Sequence, residues 1–314
     1  MVRVQVFRNE FGCDKERSES RNNDIMTVRE ETTPMQEDAI ETFGASTIQH
    51  GKLSNRIYVM HLQESDFPAI LPELNHLANR NGYTKIFARI PHFAYRGFLD
   101  DGYRCEAKIP VFFAGTQPGY FMAKYFDEAR AHSLKEEEEQ AILDKAGQRI
   151  RSETPSLRKG YTLAKCEPAD AEDMAHLYRA VYDSYPFPIF SPDYLSDTMQ
   201  RNFVYYAVRK GAEIVSVASA EIDFEALHAE VSDFATLPEY RRKGFAACLV
   251  SQLENELHRM KIATVFTIAR AQSPGINMVF GGSKYAFAGM LINNTNIFGS
   301  IQDMNVWYKL LPHD

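Results

Sequence analysis

Residues 241–246 read Arg-Arg-Lys-Gly-Phe-Ala and open an apolar-periodic stretch that runs to about Met260. Cations are unfavourable at the start of a helix, where the dipole is positive, so three in succession there point to an anion that offsets them. The first helical turn also carries backbone N–H groups with no intrahelical partner. Together these features make an anion site. Gly244 has no Cβ and lets backbone approach closely, and Ala246 keeps the next exposed position small. Lys243, Gly244, Phe245 and Ala246 would mainly offer amides, while Arg241 and Arg242 add charge. Ala247, Leu249, Val250, Leu253 and Leu257 supply the apolar stripe that such a helix buries.

Other chemistries are poorly represented. Cys13, Cys105, Cys166 and Cys248 lie far apart, with no C-x-x-C pair, and the 9 histidines show no H-E-x-x-H spacing. We therefore expect reduced structural thiols and no metal. A net charge of −7 and a pI near 5.8 argue against a general nucleic-acid binder. No apolar run is long enough to span a bilayer, and residues 1–20 lack the apolar stretch of a signal peptide. A cytoplasmic protein is the expectation, with a homodimer left open.

At 314 residues the chain predicts two domains. Residues 1–23 read as a flexible extension. An N-terminal α/β unit over 24–127 has strand-like runs at 55–62, 84–90, 102–110 and 119–126, and a helix over 66–81 ending at Asn81-Gly82. Residues 128–158 read as a solvated helical linker carrying the Glu136–Glu139 run. The second unit, 159–314, has a strand at 161–166, a helix over 167–185 and a Pro-aromatic loop, YPFPIFSPDYL. A hairpin over 203–223 turning at Lys210-Gly211 and a strand at 228–237 follow. The cation-headed helix comes next, then a buried strand at 262–269, a short helix at 273–280 and a final strand at 302–310. The expected fold class is α/β, or α+β.

This order of elements, with Arg241-x-x-Gly244-x-Ala246 inside VSDFATLPEYRRKGFAACLVSQLE and followed by IATVFTIARAQSPGINMVF, resembles the GNAT acetyltransferase superfamily. That resemblance covers about residues 159–314 and implies a mixed central sheet there. INNTNIFGSIQDMNVWYK, the Pro-aromatic loop and the shape of the first half are similar to the β-lysine N-acetyltransferases, back to about residue 24. Those enzymes acetylate the ε-amine of β-lysine to make a compatible solute. The first half echoes the second half of such a fold but lacks the R-x-x-G-x-A motif. It reads as a smaller, degenerate GNAT-like α/β domain that binds no cofactor, or as an unrelated α/β layer.

The resemblance implies roles. The anion becomes the pyrophosphate of acetyl-CoA, a co-substrate. Phe234, Ala235 and Thr236 would pair with the pantetheine arm by backbone, and Asn277 would contact it. A lysine-type ammonium has a pKa near ~10.4, so a base must take its proton. Strand alternation puts Val231, Asp233 and Ala235 on one face and Glu230, Ser232 and Phe234 on the other. Asp233 or Glu221 is the expected base. Phe280 stands where the family commonly has an acid Tyr, which leaves Tyr285, another group or solvent to protonate the thiolate. Tyr185, Phe187, Asn293, Asn294, Asn296 and Asp303 form the expected amine site, the Asn residues on a turn. A protein-modifying acetyltransferase and a non-catalytic acetyl-CoA sensor are the rival readings.

Overall fold

The structure, a computed structural model, describes residues 38–149 and 155–312. The expected extension over 1–23 lies outside them. The first half contains strands β1 (Ala39–Phe43), β2 (Ser46–Gly51) and β3 (Arg56–His61), helix α1 (Ile70–Asn81), β4 (Lys85–Pro91), α2 (His92–Asp100), β5 (Arg104–Phe113) and β6 (Gln117–Tyr125). Helix α3 (Glu136–Gly147) leads to the second half. There β7 (Thr162–Lys165), α4 (Ala171–Val181), α5 (Pro192–Arg201), β8 (Phe203–Lys210), β9 (Glu213–Asp223) and β10 (His228–Thr236) precede α6 (Phe245–Arg259). The chain closes with β11 (Thr264–Arg270), α7 (Pro274–Gly282), β12 (Ala286–Ile297) and β13 (Ser300–Leu310).

The described strands form one 13-stranded mixed sheet of order β1-β2-β3-β4-β6-β5-β12-β13-β11-β10-β9-β8-β7. Read inward from either end, the connections repeat. β3 and β4 pair in parallel across α1, and β10 and β11 do so across α6. β4 pairs antiparallel with β6, and β11 with β13. The halves meet edge to edge where Gly289 of β12 stands opposite Ala107 of β5.

The helices cover separate cores. α6 buries Phe245, Leu249, Val250, Leu253 and Leu257 against β8–β11, and α4 and α5 bury Met174, Leu177, Tyr178 and Leu195 on the opposite face. α6 stops at Met260 because Lys261 turns to φ +60 and the Ile262 N–H caps the Leu257 carbonyl at 3.0 Å. A further core joins the halves: Tyr58, Phe87, Phe112 and Phe121 pack with Phe266, Leu291, Met304 and Val306. The Phe112 and Phe266 ring centroids are 5.0 Å apart.

Several elements differ from expectation. β1, β2 and α2 had no counterpart in the sequence reading. α3 is shorter than the expected linker and is not simply solvated: Glu139 and Ala146 are buried, and the Ala146 carbonyl lies where a Cβ on Gly281 of α7 would sit. The INNTN segment is a strand with a bulge between Leu291 and Thr295, not a turn. Asn293 takes φ +45 there. The bulge frees carbonyls from the ladder, and buried cations from the chain preceding α3 satisfy them. Lys85 donates to Ile292 O at 2.6 Å, Arg130 to Asn293 O at 3.0 and 3.1 Å, and Arg56 to Asn294 O at 2.7 Å. A buried carbonyl without such a partner would cost on the order of 1–3 kcal/mol.

Candidate active site

Both halves line one cavity of about 1130 Å³. Its outer end is the start of α6. No side chain caps that helix, and Gly244 sits at φ +85, a conformation that favours glycine. A Cβ built on Gly244 meets nothing within 4 Å, so the space over the first-turn amides is open to a ligand. The side chains fold back from it. Lys243 Nζ donates to Glu239 O at 3.0 Å, and Arg241 Nε donates to Thr236 O at 3.2 Å. The Phe245 ring packs beside Tyr161, centroids 4.7 Å apart. Free amides on a positive helix end suit a phosphate-type anion, and Arg241, Arg242, Lys243, Gly244, Phe245 and Ala246 all border the cavity.

β10 carries the cavity wall inward. Its register slips between Ser232 and Ala235, with Asp233 at φ +52. This bulge changes the strand's phase. Val231 joins the core under α6, whereas Ala235 joins the core under α4 and α5. Simple alternation had put them on one face, so that expectation is corrected. Glu230, Ser232, Asp233, Phe234 and Thr236 all reach the cavity, while Ala235 is buried away from it.

The inner end is acidic. Glu230 and Glu221 are direct cross-strand partners, and both line the cavity with Asp233. Burial pushes the Glu230 carboxyl up to about 8, opposed by Arg89 and assisted by Glu221. Burial also raises Glu221, against the pull of Arg89. Arg89, from β4 of the first half, stands 3.8 Å from Glu230 and donates to Met60 O at 3.0 Å. Asp233 is raised by burial but accepts hydrogen bonds from Tyr185 Oη and Ser219 Oγ, each at 2.6 Å. Those bonds favour its charged form and tie it in place.

Of the expected amine site, Tyr185, Phe187 and Asn294 line the cavity. Asn293, Asn296 and Asp303 do not. Asn293 holds the Arg130 and His132 carbonyls at 3.0 and 2.8 Å, and Asn296 accepts from Ser184 Oγ at 3.0 Å. Asp303 accepts the Asn293 N–H and faces Glu139, whose carboxyl burial and Asp303 together push up to about 8. A carboxylate so engaged, on the α3 side of the sheet, is a poor partner for a substrate ammonium in the cavity.

Asn277 and Tyr285 are corrected likewise. Asn277 is fully buried, donates to Arg270 O and Ser273 O at 2.9 and 2.8 Å, and accepts from Asn305 and Trp307 at 2.9 and 3.0 Å. Its side chain clamps the start of α7 to β13, leaving Pro274, Gly275, Ile276 and Met278 to face the cavity. Tyr285 packs against Phe280 in the core under α6, with centroids 4.9 Å apart and neither ring lining the cavity. Burial drives the Tyr285 hydroxyl well above its ordinary pKa. Among the wall residues that the sequence reading missed are Arg56, Tyr58, Phe87 and Arg89 from the first half and Tyr182, Tyr194 and Arg270 from the second. Among the described residues no His, Cys, Asp and Glu cluster could hold a metal, and no helix is long and apolar enough to cross a membrane.

A Gly244→Glu variant has room for its Cβ but strains the φ +85 backbone by roughly 1–2 kcal/mol, a cost that a protein of this size should survive, and it should bind acetyl-CoA at least about tenfold more weakly, a loss of ~1.4 kcal/mol or more. Calorimetry on the folded variant checks this, and unchanged affinity would place the anion elsewhere.

The acetyltransferase (GNAT) family model matches residues 171–278. The chain is 32% identical over 265 residues to the β-lysine N(6)-acetyltransferase of Methanococcus maripaludis, spanning 84% of this chain and 96% of that protein. It is 32% identical over 282 residues to the N-acetyltransferase YodP of Bacillus subtilis, spanning 87% and 99%. The β-lysine N(6)-acetyltransferase of Methanosarcina mazei is 34% identical over 231 residues, spanning 67% and 85%. With relatives this similar across nearly their whole length, the chain belongs to the GNAT acetyltransferase family and is an N-acetyltransferase.

Proposed function

We propose that the protein transfers acetyl from acetyl-CoA to the ε-amine of β-lysine. One observation carries the reading beyond the family. A single cavity runs from the open helix start of α6 to the Glu221–Glu230 pair, with walls from both halves. The names of the two archaeal relatives point to the same acceptor.

Bound acetyl-CoA supplies the activated acetyl thioester, with its phosphates at the amides of Lys243–Ala246. The acceptor enters as an ammonium, which the carboxylates attract, and must lose a proton before it can attack. Glu230 suits that step better than an ordinary carboxylate. A base with a pKa near 8 lies closer to the ammonium it must deprotonate. Glu221, directly opposite, shares the charge. Asp233 acts by holding Tyr185 against the cavity rather than by taking the proton. The free amine then forms the C–N bond at the acetyl carbonyl as the C–S bond breaks. With Phe280 and Tyr285 packed in the core, the nitrogen's second proton passes to solvent, which protonates the leaving thiolate in this scheme. Acetylation removes one positive charge from β-lysine and leaves a neutral zwitterion, which can accumulate without a counter-ion. That property fits a compatible solute.

A thiol-release assay with acetyl-CoA and a panel of β-lysine, α-lysine, spermidine and a lysine-containing peptide tests the reading. β-Lysine should give the highest kcat/KM, with the product acetylated at the ε-nitrogen by mass spectrometry. Preference for the peptide would make this a protein acetyltransferase. Tight acetyl-CoA binding without turnover of any amine would make it a sensor.

A further inference from the structure

The first half contributes a buried cation that Asp38 and Glu230 influence only from beyond ion-pair distance. Arg56 is 3% exposed and lines the cavity. Its guanidinium lies 5.2 Å from the Tyr58 ring centroid and 5.6 Å from that of Phe87. Both of its hydrogen bonds to described residues come from one nitrogen, Nη1, to Asn294 O at 2.7 Å and Thr295 Oγ1 at 2.9 Å. Its Nε has no partner among them. Among the described residues no carboxylate lies within ion-pair distance of Arg56. The other two cations on the β12 bulge differ. Lys85 has Glu106 at 3.0 Å, and neither Lys85 nor Arg130 lines the cavity. Arg89, the neighbouring cavity cation, already has Glu230.

A buried charge without a counter-charge is expensive, and a guanidinium is shaped to accept a carboxylate on two N–H groups. Beside it sits Asn294, 1% exposed and also lining the cavity, with its Oδ1 unpartnered. A lone acceptor next to a lone cation matches a carboxylate next to an ammonium. Arg56 is also within electrostatic reach of Glu230, so one flexible substrate could touch both places.

We propose that Arg56 and Asn294 form the head-group subsite of the acceptor, Arg56 holding the carboxylate and Asn294 Oδ1 accepting from the adjacent ammonium, so that the distal amine reaches Glu221 and Glu230. The inference rests on the reading of the acceptor as a diamino acid. It gives the first half a task in recognition: the half that lacks the phosphate motif supplies the partner for the substrate carboxylate, beside Asn294 of the half that has it.

The test compares β-lysine with its carboxamide, which keeps size and both amines but removes the negative charge. Acetyl-CoA is held saturating. The wild-type enzyme should prefer the acid by about tenfold or more in kcat/KM, equivalent to ~1.4 kcal/mol, mainly through KM. Arg56→Gln should bring the ratio near one with the KM for acetyl-CoA unchanged, and Arg56→Lys should restore part of it. A merely structural role for Arg56 would lower both substrates equally and leave the ratio intact, which would overturn the proposal. If Arg56→Gln does not fold, the wild-type ratio and Asn294→Ala still decide. A wild-type ratio near one, or an unchanged KM for β-lysine in Asn294→Ala, rejects the subsite. If β-lysine itself is not acetylated, the earlier reading has failed. The acid-and-amide comparison then passes to the best acceptor in the panel, and a best acceptor with no carboxylate rejects this inference as well.

Discussion

Glu230→Gln will lower kcat/KM by about 10²- to 10⁴-fold and at the same time make the protein more heat-resistant at alkaline pH. Both effects come from burying a carboxylate opposite another carboxylate. Glu221 faces Glu230 across the β9–β10 ladder, and Arg89 at 3.8 Å is the main cation set against them. Burial raises Glu230 from 4.5 to about 8 in the folded protein. The folded state therefore holds this proton more tightly than the unfolded chain does. The stability that this proton confers is fully present below about 4.5 and is lost as pH rises through about 8. Gln cannot ionise and keeps that stability. Melting temperatures of wild type and Glu230→Gln should be close near pH 5, and the variant should lead by a few degrees near pH 9. Wild-type kcat/KM should climb with pH through about 8, as the base loses its proton. Activity within threefold of wild type would remove Glu230 from the chemistry. A melting difference independent of pH would show that its carboxyl is not held protonated.

Gly289→Val should part the two halves. Gly289 takes φ +147, outside the range of ordinary side chains, and supplies the registered pair between β12 and β5. A Cβ there would lie 2.1 Å from the Glu106 carbonyl and 2.7 Å from Ala107 Cα. Both are backbone atoms inside a strand, so neither can swing aside. Backbone strain alone costs roughly 1–3 kcal/mol, and the displaced seam also disturbs the aromatic core between the halves. We expect a loss of several kcal/mol in denaturant unfolding. Amide exchange should accelerate first in residues 104–109 and 286–292. Activity should fall with stability, since Arg56 and Arg89 reach the cavity only while the halves are joined. Wild-type stability in this variant would mean that the seam adapts and does not govern the assembly of the cavity.

The sequence was readable where local patterns and final surroundings agree. The β8–β9 hairpin turns at Gly211, φ +61, between the expected strands, and α6 follows its apolar stripe from Phe245 to Arg259. It was opaque where long-range contacts reuse residues against their local preference. Asn293 and Asn294 are turn formers, yet they sit in a strand because buried cations from far along the chain hold the carbonyls that a bulge releases. Asp233 could be found as an acid but not placed, because one bulge overturned the alternation used to place it. Asn277 has the residue type of a ligand contact, and only its surroundings show every polar atom engaged. Arg56 and Arg89 are unremarkable cations within strand text, and nothing local marks them as walls of a distant site. α2 is two turns long, with only Ala94 and Phe98 buried, too short for its periodicity to stand out.

The edge-to-edge seam also bears on how the protein avoids self-association. Two separate sheets would expose four edges, each a row of unpaired N–H and C=O groups able to recruit another chain. Joining β5 to β12 at the Gly289–Ala107 pair sets two of them against each other, and these are among the longest strands, 10 and 12 residues. Among the described residues the edges that remain, β1 and β7, are 5 and 4 residues long. Strands that short offer little ladder to an intruder. The seam that completes the cavity therefore also hides the two edges most prone to aggregation.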